Sequence, residues 1–165
     1  MLDLLTEAEA ARQLRACCGS SRWVDGMVGA RPLGSAERAK AEADRIWNGL
    51  SRADWLEAFA HHPRIGEMKS GIDQEATGAA WSSQEQVQVG SATAGVKAEL
   101  ARVNTEYERR FGYIYIVCAS GKSAQELLDI ARSRLQNADD VELKVAAEEQ
   151  RQIMQLRLDK LLETP

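Results

Sequence analysis

The sequence predicts an all-α protein, a single compact helical domain of about seven to nine helices with one buried extended segment near 113–118. Three observations carry that expectation. Apolar residues recur at three- and four-residue spacing along most of the 165 residues, the period that lines one face of a helix. Serines stand immediately before such runs at Ser35, Ser51, Ser82 and Ser123, where a side-chain oxygen can accept from an orphan N–H of the first turn. Only Tyr113-Ile114-Tyr115-Ile116-Val117-Cys118 is an unbroken β-branched and aromatic run. Such a run favours extended backbone, and with no second strand to pair with it must thread between helices.

Taken in order, a first helix is expected over 4–17, and Cys18-Gly19-Ser20-Ser21 closes it and caps a short one over 22–28. Residues 29–34, with Arg31-Pro32, form a turn. Ser35 caps an alanine- and glutamate-rich helix over 36–50, and Ser51 the next. There Asp54 favours the helix N-terminus while Trp55, Leu56 and Phe59 supply the buried stripe. That helix must end near His61, because Pro63 drives the preceding residue out of the α region. Residues 63–81 read as a long loop, and loops of that length are often functional. Ser82 and Glu85 have capping-box spacing, so helix is expected from 82 to about 110 despite Gly90 and Gly95. After the extended run and a turn at Gly121, Ser123 and Glu126 box a helix over 123–136, and a last helix spans 139–162. No internal repeat or domain boundary interrupts 1–165.

Acidic and basic residues, 25 and 21, are mixed along the chain with a net charge of −4, so no polybasic stretch invites nucleic acid or anionic lipid. The N-terminal stretch carries Asp3 and Glu7 where a signal peptide needs basic residues, and no apolar run reaches the roughly 18 residues of a membrane span. The chain also lacks a terminal Ser-Lys-Leu address. A cytoplasmic protein is expected. Cys17, Cys18 and Cys118 are odd in number and unpaired in spacing, which suggests idle thiols in a reducing compartment rather than a disulfide framework or zinc knuckle.

The two histidines are adjacent, in His61-His62-Pro63-Arg64-Ile65-Gly66, at a helix end opening into the long loop. An imidazole there suits proton transfer, although the helix macrodipole alone also favours histidine at a C-terminus. No His-Glu-x-x-His helix or third ligand accompanies them, which disfavours zinc. Gly121-Lys122-Ser123 is not a phosphate loop, because the glycine required five positions earlier is Ile116. Glu85 is explained by capping alone, yet a carboxylate fixed at a helix end beside Ser82 and Gln86 is also well placed for chemistry. Arg157, among Leu156, Leu158 and Leu161, either snorkels to water, the commoner outcome, or binds an anion.

Together these segments resemble the 2-oxo-4-hydroxy-4-carboxy-5-ureidoimidazoline (OHCU) decarboxylase family. The matching residues are His62-Pro63-Arg64-Ile65-Gly66, then Trp81-Ser82-Ser83-Gln84-Glu85-Gln86. Asn104 and Tyr107 follow, leading to Phe111-Gly112-Tyr113-Ile114-Tyr115-Ile116, and then Ile153-Met154-Gln155-Leu156-Arg157-Leu158. Their order and spacing are specific as a set, and they cover nearly the whole chain. The resemblance implies an all-helical, homodimeric enzyme of urate breakdown that forms (S)-allantoin without metal or organic cofactor. It implies a catalytic pair His62 and Glu85, and a substrate site lined by Pro63, Ser82, Gln86, Ile116, Val117 and Arg157. Ile114 departs from the proline that many relatives carry, which bears on the backbone path at 115–118.

Two other readings fit the same residues. A helical interaction module without catalytic activity accounts for the mixed charge and amphipathic helices. A metal-assisted amidohydrolase of ureides would account for histidine and glutamate together, and would lose activity to chelators.

Overall fold

A computed structural model of the chain describes residues 2–66 and 76–163. Leu2–Leu4 form a single 3-10 turn, and the first helix, α1 (Glu7–Cys17), starts later than position 4. The reason is Thr6: its side chain accepts from the Glu9 N–H, and the Glu9 carboxylate accepts from the Thr6 N–H at 3.0 Å. That reciprocal cap satisfies two orphan donors and fixes where helix begins. Ser20 caps α2 (Ser21–Gly29), Ser35 caps α3 (Ala36–Asn48), and Ser51 with Asp54 boxes α4 (Arg52–Ala60).

The continuous helix expected from 82 to 110 is instead three pieces, α5 (Ala76–Glu85), α6 (Val87–Gly90) and α7 (Ala94–Phe111). Ser82 and Glu85 therefore lie in the last turn of α5 rather than the first turn of a new helix. The Ser82 hydroxyl accepts from Arg157 at 2.8 Å and caps nothing. Gln86, at φ −107° and ψ 17°, leaves the helical region, and Thr93 supplies the true cap by accepting from the Val96 N–H. Of the loop expected over 63–81, residues 63–66 are non-helical and 76–81 are helical, while 67–75 lie outside the described residues. Gly112 ends α7 in the left-handed region at φ +79°, a conformation that favours glycine. Ser123 and Glu126 box α8 (Ala124–Arg134), and α9 (Asp139–Glu163) closes the chain.

α9 packs against α1, α3 and α4, and α7 against α8. Trp23 and Trp47 are fully buried, and their indole N–H groups reach across helices to the carbonyls of Ala43 and Ala147, each at 3.1 Å. Among the described residues there is no strand. Segment 113–118 is nonetheless buried, and its backbone finds side-chain partners as a buried polar backbone must. Arg134 donates to the Ile116 carbonyl at 2.7 Å, the Cys118 N–H donates to Glu149 at 2.6 Å, and Lys122 donates to the Cys118 carbonyl at 2.8 Å. Arg134 itself is paired with Glu142 in the interior, where Tyr107 and Asn137 complete the carboxylate's hydrogen bonds. Among the described residues no helix is long and apolar enough to cross a membrane.

Candidate active site

α4 ends at His61, whose ring lies over Gly19; a Cβ on that glycine would sit 2.3 Å from the His61 Cγ. The His61 Nδ1 is 3.0 Å from the Glu57 carbonyl, so in the neutral ring it carries the hydrogen and donates. His62 follows, and the strip after it is tied down from α7 and from the turn before α6. Asn104 donates to the Ile65 carbonyl at 2.8 Å, the Gly66 N–H donates to the Gln86 side-chain oxygen at 2.9 Å, and Arg64 pairs with Glu108.

This strip, the end of α5 and the extended segment enclose one cleft. His62, Pro63, Ser82, Glu85 and Gln86 line it on one side, and Ile116 and Val117 on the other. Thus seven residues expected at the site share one cleft although they are drawn from three distant stretches of chain. The eighth, Arg157, stands behind Ser82 and Glu85 at 3% exposure. Its Nε and Nη2 donate to the two Glu85 oxygens at 3.0 and 2.9 Å, Nη2 also to Ser82 Oγ, and Nη1 to the Ala16 carbonyl at 3.1 Å. The guanidinium therefore binds an anion rather than reaching for water, and the anion is Glu85. A bidentate, nearly buried pair of this kind fixes the carboxylate in direction as well as in charge.

Four further lining residues, Ile65, Tyr115, Ala119 and Ile153, were not singled out as site residues from sequence. Ile153 was legible as one turn before Arg157 on the same helix face, whereas Tyr115 reads only as part of an apolar run.

The His62 imidazole is held in its neutral form. Burial is the main cause and the positive charge of Arg157 the next, so its pKa falls to about 3 against an opposing contact from Gln150, with a smaller lowering from the neighbouring His61. The cleft thus offers a neutral imidazole, a carboxylate pinned by a guanidinium, a hydroxyl, an amide and apolar walls. These suit a small polar ring that must be oriented and given a proton. Among the described residues no three His, Cys, Asp or Glu side chains converge as a metal's donor set would.

The family model for OHCU decarboxylase matches residues 3–159. The uric acid degradation bifunctional protein TTL of Arabidopsis thaliana is 37% identical over 147 residues, 89% of this chain, which spans only 45% of that protein's length. The 2-oxo-4-hydroxy-4-carboxy-5-ureidoimidazoline decarboxylase of Amia calva is 36% identical over 82% of this chain and 77% of its own. A crystal structure of OHCU decarboxylase in the presence of (S)-allantoin superimposes with a TM-score of 0.78 at 35% identity, covering 92% of this chain and 97% of the other. With the match running through almost every helix, the chain belongs to the OHCU decarboxylase family.

Proposed function

We propose that this chain removes carbon dioxide from OHCU to give (S)-allantoin in urate breakdown, and that it needs neither metal nor organic cofactor. The observation that carries the reading is the convergence of His62 and Glu85 on one cleft in a chain of this family. The carboxylate-bearing carbon of OHCU adjoins a ring imine, which accepts the electron pair when the carbon–carbon bond breaks. Loss of carbon dioxide from a carboxylate leaves an anion that takes up one proton, so the protein must orient the ring, hold the anionic intermediate and deliver that proton to one face.

His62 is the proton-transfer group at the substrate hydroxyl and ring, mainly as donor. In the empty cleft it is neutral; an incoming carboxylate favours its protonated form, and the proton gained is the one the intermediate needs. Glu85 holds the polar edge of the ring and, by like charge, disfavours the ground-state carboxylate. Ser82, with a hydroxyl hydrogen to spare, and Gln86 bind the carbonyl and ureido groups, while Pro63 and the backbone at Ile116 and Val117 bound the ring. Arg157 keeps Glu85 aimed through its two parallel hydrogen bonds and holds Ser82 beside it.

The reading takes 1–165 as one domain working as a homodimer in the cytoplasm; light scattering in solution checks the stoichiometry. Freshly generated OHCU decays unaided to racemic allantoin, so circular dichroism tests the activity. Enzyme should produce an optically active product, with or without chelator. A racemic product at the spontaneous rate would refute the reading in favour of a non-catalytic module, and loss of activity to the chelator would point to a metal-assisted hydrolase.

A further inference from the structure

Gln150 is fully buried, and neither its carboxamide oxygen nor its nitrogen completes a hydrogen bond of ordinary geometry. Buried polar groups without partners are uncommon, and one kept inside a core calls for a reason. Its position supplies one. Gln150 sits on α9 one turn before Ile153, which lines the cleft, and two turns before Arg157, which grips Glu85. Its neighbour Glu149 receives the Cys118 N–H of the extended wall. α4, which ends just before His61 and His62, packs on the same helix, and Gln150 is the side chain whose contact with the His62 ring opposes the fall in its pKa.

We propose that Gln150 is a positioning residue whose carboxamide oxygen accepts the N–H of the neutral His62 ring, fixing one tautomer and leaving the other ring nitrogen toward the cleft. The contact is loose in the empty site and tightens when the ring is protonated or substrate packs against it, as hydrogen bonds at active sites commonly do. Around the ring, Arg157 and the neighbouring His61 both disfavour protonation of His62, and the Glu85 carboxylate that shares the cleft is taken up by Arg157. The Gln150 carboxamide is the neutral group that favours it. A neutral amide thereby orients the ring without raising its proton affinity as strongly as a carboxylate would.

The inference rests on His62 being the proton-transfer group, and its test separates the two ideas. The chain has only two histidines, so ring-nitrogen NMR of the substrate-free protein reads His62 directly. In the native protein His62 should show a single neutral tautomer across pH 5 to 8. Gln150→Met should mix the tautomers and lower kcat about ten-fold or more while KM stays within about two-fold. Gln150→Glu should keep one tautomer and move the His62 titration up by about one pH unit or more; it decides the matter if the methionine variant does not fold. Unchanged His62 signals in the methionine variant, or an unchanged titration in the glutamate variant, would overturn the proposal. If the native chain turned over no OHCU, the spectra would still decide on Gln150 while the functional reading alone fell.

Discussion

Burial works against the charged form of His62, and that has a consequence for stability. Its folded pKa of about 3 lies below the unfolded value of 6.5, so below pH 6.5 the unfolded chain takes up a proton that the folded one refuses. The contribution is present in full above pH 6.5 and is lost as pH falls, at most about 2 kcal/mol by pH 5. Urea unfolding at pH 7 and pH 5 should show this drop in the native protein and a smaller one in His62→Asn; equal drops would contradict it. The same variant should lose about 10²-fold or more in kcat while remaining folded. Glu85→Gln should also lose most turnover, and it should cost about 3 kcal/mol or more because Arg157 is left as an uncompensated buried charge. His62 could be singled out from the chain alone, as one of two adjacent histidines before a proline. The local setting of Glu85 could not, since the spacing from Ser82 to Glu85 is that of a capping box. What decides between cap and ion pair is Arg157, 72 residues further on, and local spacing carries no trace of that distance.

Serine caps followed by helical apolar spacing made most elements readable, and α3, α4 and α8 begin where Ser35, Ser51 and Ser123 place them. The breaks around Gln86 and before Thr93 were missed because periodicity runs through them; Gln86 leaves the helical region and Thr93 caps a new helix. The extended segment was legible as apolar and β-branched, but its partners lie on other elements. Arg134→Met should therefore cost about 3–5 kcal/mol in urea unfolding by stranding the Glu142 carboxylate beneath that segment. Pairing it with Glu142→Gln should recover much of the loss; no recovery would mean that the pair is not the cause. At the joint between α1 and α2, Gly19→Ala would thrust a methyl into the His61 ring. It should destabilise by about 1–3 kcal/mol and lower kcat by shifting the neighbouring His62; a native melting temperature and full activity would count against the close packing described.

Across the molecule, α9 is the element on which the site is registered. Glu149 holds the extended wall, Gln150 acts on His62, Ile153 lines the cleft, and Arg157 fixes both Glu85 and Ser82. One rigid helix thus sets three chain segments against one another, and this explains how a cleft assembled from strips far apart in sequence holds its geometry. Its extent and apolar positions were legible in the sequence, whereas the convergence of its polar residues on one site depends on packing against α1 and α4. The central claim is that an imidazole and a carboxylate meet around one small ring. A crystal structure of this protein grown with (S)-allantoin tests it most directly. The ring should lie between His62 and Glu85, against the backbone of Ile116 and Val117. Density in the neighbouring cavity of Ser83, Val89 and Lys97, with the cleft beside His62 empty, would contradict it.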